Sequence, residues 1–284
     1  GLSVAVTATQ MAMGQSGGEQ VIDYKLSIII STITFITTVL VTMFGKRFLR
    51  LVPILLGIAV GYSVSAVLGL VDFEKVAAAP WLAVPEFVRP EVNWMAALCM
   101  LPVAIAPAIE HIGGIMAIGK VTGKDYTVSP GLDKTLAGDG LGVCVAGLIG
   151  GPPVTTYGEV TGAVMITKND NPKIMTYAAI FSILMAFFGK FNAFLNSIPL
   201  PVMGGIMILL FGTIASLGLK AVIDAKVDIT IPRNLVIVSA TLITGVGGYT
   251  VQIGSFPFAG VGLASVLAIV LNLILPHSDE EAKD

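Results

Sequence analysis

The sequence predicts an all-α protein that crosses a membrane many times, and three observations support this fold class. Hydrophobic residues make up 55% of the 284 residues and charged residues 12%, about half the charged share of an ordinary soluble domain. The mean hydropathy is +0.90. The apolar residues are gathered into runs of about 20, the length that a helix needs to cross a bilayer core of about 30 Å. A soluble domain needs a polar shell and could not hide so much apolar surface.

The same composition excludes several other classes of protein. The 16 basic residues are matched by 18 acidic residues, which leaves no basic field for nucleic acid. High hydrophobicity and low charge exclude a disordered chain. Cys99 and Cys144 lie within apolar runs, so no disulfide framework is expected.

The two ends of the chain differ in character. The first residue is Gly1, and the apolar run that follows lacks the basic region and cleavage site of a signal peptide. We therefore expect the chain to begin within a membrane segment. Residues 276–284 are polar and are expected to form a natural C-terminus.

About ten segments are apolar enough to be embedded in a membrane. In chain order they are residues 1–13, 26–44, 51–70, 92–119, 135–150, 156–167, 174–189, 199–217, 234–249 and 256–275. The first resembles the second half of a span. Residues 135–150 and 156–167 are short and rich in glycine.

Two further stretches are neither spans nor plain loops. Residues 76–91 mix prolines, aromatic residues and charges, which predicts an external interfacial segment with Trp81 and Trp94 at the depth of the lipid headgroups. Residues 220–233 alternate apolar and charged side chains, which predicts an interfacial helix or a long cytoplasmic link.

The basic residues predict the orientation, because loops rich in Lys and Arg stay in the cytoplasm. The basic turn at 46–50 is placed inside, and the sides then alternate. Of the 16 basic residues, those left outside are Lys25, Lys75, Arg89 and Lys190. This bias requires both short segments to cross the membrane, and it places the C-terminus in the cytoplasm. The predicted location is the cell membrane, the inner membrane where a cell has two.

Four ionisable residues fall at membrane depth, where a charge is costly and indicates a functional site. Glu110 and His111 lie in the inner half of the span at 92–119, downstream of two prolines. A helix–helix tether is the alternative for Glu110, and a structural role is equally open for His111. For Asp139, a turn or a helix cap at the cytoplasmic end is favoured over a ligand contact. The fourth residue is Glu159.

Glu159 follows a predicted break in a span. Residues 150–153 are two glycines and two prolines, which cannot continue a helix, and 154–157 are strand-prone. We therefore expect a short extended segment at 152–158 and then a half-helix. Discontinuous helices in transporters place such N-termini, with their free N–H groups, at the substrate. The alternative is a structural re-entrant loop in which Glu159 caps its own helix.

Catalytic and metal-binding motifs are not apparent in the sequence. The adjacent Glu110 and His111 lack the spacing of a zinc peptidase, and no phosphate-binding loop or nucleophile–base pair stands out. We therefore expect no enzyme activity, no cofactor and no metal.

Three blocks carry a family resemblance: residues 108–113 (AIEHIG), 131–140 (GLDKTLAGDG) and 151–159 (GPPVTTYGE). In their order and spacing they resemble the nucleobase:cation symporter family, also called nucleobase–ascorbate transporters, which includes the uracil and xanthine permeases. The string at 155–159 is similar to that of the uracil branch. The resemblance runs through the whole chain, from the family's fifth helix to its fourteenth.

The resemblance implies a fourteen-span fold of two inverted seven-span repeats, with a core domain that moves against a gate domain and a homodimer built through the gate. Residues 1–75 would be gate helices of the first repeat (the first one truncated), 76–91 the external segment, 92–190 core helices of the second repeat with the substrate site, 191–275 its gate helices and 276–284 a cytoplasmic tail. The first four helices would be missing, so this chain alone is not expected to transport.

The resemblance also implies the ligand contacts. Glu110 and Glu159, with the backbone at Tyr157 and Gly158, would hold a nucleobase, most simply uracil. Carboxylates accept from its N–H groups, and the N–H groups at a half-helix start donate to its carbonyls. Glu110, next to His111, would carry the proton for symport.

Some positions depart from the pattern of uracil permeases. Gly114, Val160, Met207 and Phe211 stand where that branch often has polar residues. These departures leave the proton coupling and the exact substrate open. The alternatives are a permease for xanthine or another purine, a small-anion carrier of the same fold, and a membrane protein that does not transport.

Overall fold

The computed structural model describes residues 2–85, 87–158, 160–253 and 256–276. Within these residues the chain is mainly helical, with two short antiparallel hairpins. The helices are α1 Ala5–Ala12, α2 Tyr24–Phe44, α3 Pro53–Val67, α4 Phe73–Ala78, α5 Trp94–Met100, α6 Ile105–Thr122, α7 Leu132–Leu148, α8 Val160–Thr167, α9 Lys173–Ala186, α10 Gly189–Asn196, α11 Leu200–Asp224, α12 Pro232–Val246 and α13 Gly260–Ile274. The strands are β1 Gln15–Ser16, β2 Glu19–Gln20, β3 Thr250–Ile253 and β4 Phe256–Ala259.

Each predicted membrane segment coincides with a helix or a pair of helices. By length and composition, α2 and α11 can each cross a membrane, and α5 with α6 forms a third candidate that bends by 43°. The bend falls at Pro102, which lacks an N–H and so weakens the helix there. Shorter apolar helices, such as α3, α9, α12 and α13, occupy the other predicted positions. The chain thus has the helical, apolar character of a polytopic membrane protein.

Two predicted boundaries are wrong. Helix α11 continues to Asp224, where Lys220 donates to the Asp224 carboxylate at 2.6 Å, so 220–224 is the last turn of this helix. In the described stretch between Asp224 and Pro232 there is no separate interfacial helix. The span predicted at 256–275 begins only at Gly260. The residues before it form a hairpin in which Thr250 pairs with Ala259, because β-branched and aromatic side chains favour extended pairing.

Helices α1, α2, α3 and α11 form the most tightly packed part of the chain. Ile30 on α2 and Val202 on α11 are completely buried at its centre. Thr34 and Thr38 on α2 are also fully buried, and each donates its hydroxyl to the backbone carbonyl four residues earlier at 2.8 Å. These internal bonds satisfy the hydroxyls, so α2 presents short side chains to its neighbours without an unpaired polar group.

Glycines allow these helices to approach closely. A Cβ at Gly61 on α3 would collide with the Thr34 hydroxyl, and one at Gly57 would collide with Thr38. A Cβ at Gly204 on α11 would meet the backbone of Ala12. Such contacts between backbones are what small residues provide in membrane helix bundles, where packing replaces the hydrophobic effect.

The segment that follows α4, residues 79–85, packs on the junction between α9 and α10 and is called the strap below. Ala83 donates its N–H to the carbonyl of Phe187 at 3.0 Å, and Gly189 donates to the carbonyl of Trp81 at 3.1 Å. The Lys190 ammonium lies 5.0 Å from the centre of the Trp81 ring and donates to the carbonyl of Ala77 at 3.0 Å. The strap therefore connects the segment predicted at 76–91 to the helices that follow α8.

We expect Gly61→Ala to destabilise the protein, because its new methyl group meets Thr34 and Val202 in a closed interface. Overpacking of this kind costs about 1–3 kcal/mol, and thermal unfolding of the detergent-purified protein should show a lowered Tm. The matched control is Gly212→Ala on α11, whose Cβ would meet nothing within 4 Å in the described chain. An equal Tm for the two variants would contradict the packing described here.

Candidate functional site

Helix α6 separates the two candidate residues that it carries. Glu110 and His111 are adjacent, so their side chains point about 100° apart on the helix. His111 is 4% exposed. Glu110 is exposed and forms no hydrogen bond or ion pair with another described residue. The structure therefore places the imidazole in the protein interior and leaves the carboxyl on an open face.

One nitrogen of the His111 ring, Nδ1, faces two oxygen atoms from other elements. Its Nδ1 is 2.6 Å from the hydroxyl oxygen of Thr156, in the segment before α8. The same nitrogen is 3.7 Å from Oδ2 of Asp139, on α7. One buried imidazole thus joins α6, α7 and the predicted break in the chain.

The neighbours of His111 favour one tautomer of the neutral imidazole. A carboxylate accepts hydrogen bonds and cannot donate them, so a bare Nδ1 lone pair facing Asp139 would be repelled. We therefore assign a proton to Nδ1, which donates to the Thr156 hydroxyl oxygen. The other nitrogen, Nε2, is buried and has no partner within the described residues. It is then a free acceptor among the described residues.

The prediction that Asp139 lies in a turn or caps a helix is wrong. Helix α7 begins at Leu132 with Gly131 at its N-cap, so Asp139 lies about two turns inside the helix. Its side chain is 20% exposed and faces His111. The loop before α7 is shorter than the sequence suggested, and this carries the carboxylate deeper into the structure.

The predicted break in the chain is present, and it connects α7 to α8. Residues 151–157 have no regular secondary structure, so the expected extended segment is not a strand. Gly151 donates to the carbonyl of Ala146 at 2.8 Å, which ends α7. At the other end, the N–H of Thr161 donates to the carbonyl of Gly158 at 3.0 Å, which starts α8.

Glycines on both helices leave room for this segment. A Cβ at Gly114 on α6 would lie 3.2 Å from the methyl carbon of Thr156, and a Cβ at Gly142 on α7 would lie 3.4 Å from Val154. Larger residues at Gly114 would push the segment away from α6. The departure noted at Gly114 therefore has a packing consequence.

Tyr157 and Gly158 continue from Thr156 on the exposed side of the site. The Tyr157 side chain is 56% exposed. A Cβ at Gly158 would meet nothing within 4 Å in the described chain, so a flat ligand could reach its backbone. Glu159 lies outside the described residues, and the expected meeting of Glu110 with Glu159 therefore stays a prediction.

Sequence reasoning missed Thr156 and undervalued Asp139. The position of Asp139 at membrane depth was the available signal for that residue. The sequence around Thr156 does not mark it as a functional residue, because threonine is common in strand-prone segments for structural reasons alone. Within the described residues, no group of three or more His, Cys, Asp or Glu is placed to hold a metal ion.

An ion pair marks the far ends of α6 and α8. Lys124 donates to Asp170 at 2.7 Å and joins the loops that follow the two helices. The hydrogen bond and the Asp170 charge raise the pKa of Lys124, and the same bond lowers the pKa of Asp170. Asp170 loses its charge only as the pH falls through its lowered pKa, and Lys124 only as the pH rises through its raised one. The pair is therefore charged at neutral pH.

A cavity opens beside this ion pair, between the ends of α6 and α8. It is lined by Lys120, Val121, Thr122, Val164, Met165, Lys168 and Asp170. Because Lys120 follows His111 by nine residues on the same helix, the cavity lies about 13 Å along the axis from the imidazole. It is therefore separate from the candidate site at His111 and Gly158.

Comparison with known proteins gives a family match over residues 1–254, to a family described as "Permease family". The chain is 47% identical over 283 residues to a "Probable uracil permease" of Haemophilus influenzae. It is 50% identical over 278 residues to a "Probable uracil permease" of Pasteurella multocida. It is 41% identical over 292 residues to the "Uracil permease" of Bacillus caldolyticus.

These alignments cover nearly all of this chain but less of the relatives. In the order given above, the three alignments include 100%, 98% and 100% of this chain. They include 68%, 66% and 67% of the length of the corresponding relative. The chain therefore spans about two thirds of the relatives that it matches.

Replacement of His111 should destabilise the protein, whereas replacement of Glu110 should not. His111→Phe leaves the Thr156 hydroxyl without its hydrogen-bond partner, a loss of about 1–3 kcal/mol. Glu110→Gln changes an exposed group and should alter stability by no more than about 0.5 kcal/mol. Thermal unfolding in detergent measures both. If Glu110→Gln proves as unstable as His111→Phe, the placement of the two side chains is wrong.

Proposed function

The chain belongs to the xanthine and uracil permease family, and from this membership we propose that it carries a nucleobase, uracil, across the cell membrane together with a proton. Members of this family are transporters and not enzymes. The observation that carries the choice of substrate is the similarity, over nearly the whole chain, to several relatives named as uracil permeases or probable uracil permeases. Because the chain spans about two thirds of those relatives, the proposal concerns the intact protein.

The broken span supports a binding site for a flat polar ring. The segment at 151–158 approaches α6 and ends where α8 starts, with open space beside Gly158. Free N–H groups at a helix start can donate to the two carbonyls of uracil. Backbone groups at Tyr157 and Gly158 are proposed to make these contacts.

Carboxylates are proposed to hold the other edge of the base. Uracil has two N–H groups, and each needs an acceptor when it leaves water. Glu110 lies on the open face of α6, and Glu159 directly precedes α8 in the sequence. Loss of one such buried partner costs about 1–3 kcal/mol, enough to discriminate between bases.

Proton coupling is proposed to involve Glu110 and His111. The imidazole is buried, its Nε2 is a free acceptor in the described structure, and Asp139 lies 3.7 Å from Nδ1. The imidazole therefore has one nitrogen open to a proton, and an acidic side chain lies beside the ring. Glu110, one residue away on the same helix, links this group to the open face where the base is proposed to bind.

The packing supports the proposed division into domains. Helices α1, α2, α3 and α11 pack together, as expected of gate helices within 1–75 and 191–275. Helix α6 packs on both α7 and α8, as expected of core helices within 92–190. The inverted repeat and the homodimer through the gate helices are proposed on the same family grounds.

The proposed orientation has the C-terminus in the cytoplasm of a multi-pass protein of the cell membrane. Lys75 on α4 and Lys190 on α10 are both assigned to the outside. Helices α4 and α10 pack on each other, which supports placing the two residues on the same side of the membrane. The polar tail at 277–284 lies outside the described residues.

Glu159→Gln is expected to abolish binding of radiolabelled uracil to the intact, purified protein, because the amide presents a donor where an acceptor is needed. Glu74→Gln, an exposed change on α4, is the matched control and should bind like wild type. Thermal unfolding checks that both variants are folded. Unchanged uracil affinity in a folded Glu159→Gln protein would remove this residue from the site. Excess unlabelled uracil should displace the label, and excess xanthine or sulfate should not.

Uptake of radiolabelled uracil by cells that express the intact protein should collapse when a protonophore removes the proton gradient. The physical reason is that an uncharged base gains no driving force from the membrane potential without a coupled ion. Cells without the protein provide the background. Uptake that persists after the protonophore would contradict proton symport and would favour a facilitator.

A further inference from the structure

Backbone hydrogen bonding does little to fix residues 152–156 among the described parts of the chain. No backbone–backbone hydrogen bond joins 152–156 to another described residue. Pro152 and Pro153 have no N–H to donate. Irregular backbone at membrane depth must be satisfied or held by other groups. Side chains therefore have to do what a helix or a strand would do elsewhere.

Thr156 supplies such a contact with both parts of its side chain. Its hydroxyl is 2.6 Å from Nδ1 of His111, which is itself held beside Asp139. Its methyl carbon lies against α6 at Gly114, where a Cβ would be only 3.2 Å away. The hydroxyl fixes the direction of the side chain, and the methyl group fixes its distance from the helix.

We infer that Thr156 is a positioning residue, which holds the backbone of Tyr157 and Gly158 in register with α6 through its hydrogen bond to His111. This inference rests on the proposed function, in which that backbone contacts the base. Gly158 follows Thr156 by two residues, a reach of about 7 Å at most. A shift of Thr156 therefore passes directly to the groups proposed to donate to the substrate.

Four variants of the intact protein test this role. Thr156→Val keeps the shape and removes the hydroxyl, and Thr156→Ser keeps the hydroxyl and removes the methyl group. Thr156→Ala lacks both, so that its comparison with Thr156→Ser isolates the hydroxyl even where the valine variant does not fold. Thr155→Val is the matched control, because the neighbouring Thr155 is exposed.

Two measurements separate positioning from a general loss of structure. The Kd for radiolabelled uracil should rise about tenfold in Thr156→Val and Thr156→Ala, which corresponds to about 1.4 kcal/mol. It should stay near the wild-type value in Thr156→Ser and Thr155→Val. Amide hydrogen exchange of a peptide spanning 152–158 should become faster in the two variants without the hydroxyl, while peptides from α2 and α11 keep their wild-type protection.

The outcomes distinguish this inference from the proposed function. Wild-type uracil affinity and unchanged exchange in Thr156→Ala would overturn the positioning role alone. Faster exchange throughout the protein, including α2 and α11, would show a general structural role and would also overturn it. Wild-type protein that binds no uracil would overturn the proposed function, whereas faster exchange confined to 152–158 would still support the tether to α6.

Discussion

A single buried imidazole holds together the part of the chain where the helical pattern is interrupted. His111 lies on α6, and its Nδ1 contacts the Thr156 hydroxyl in the irregular segment and faces Asp139 on α7. An interrupted span has free backbone groups that lipid cannot satisfy, so it needs neighbours that fix it. The imidazole provides a polar connection between three elements, and the proposed site extends outward from it to Gly158.

The two packed regions use different physical means. The group of α1, α2, α3 and α11 contains buried glycines and threonines whose hydroxyls bond within their own helix, so its contacts are mainly close packing of backbones. The group of α6, α7 and α8 contains a hydrogen bond and a charged neighbour between elements.

Much of the fold could be predicted from sequence because the signals are local. Runs of apolar residues placed α2, α3, α9, α11, α12 and α13, and the glycines and prolines at 150–153 located the break. The pairing of β3 with β4 and the extension of α11 to Asp224 were missed. The first depends on hydrogen bonding between two strands, and the second on whether a turn with charged side chains remains helical. Hydropathy reports neither of these.

Composition and short contiguous strings were enough to predict the membrane class, the positions of most apolar helices, the interruption before α8 and the family. Which polar groups meet depends on how the helices pack in three dimensions. His111 and Thr156 are 45 residues apart, and their contact depends on how α6 packs against the irregular segment. The rotation of α6 likewise decided that His111 is buried while its neighbour Glu110 faces outward. Adjacent residues on a helix point about 100° apart, so sequence proximity cannot assign them to the same environment.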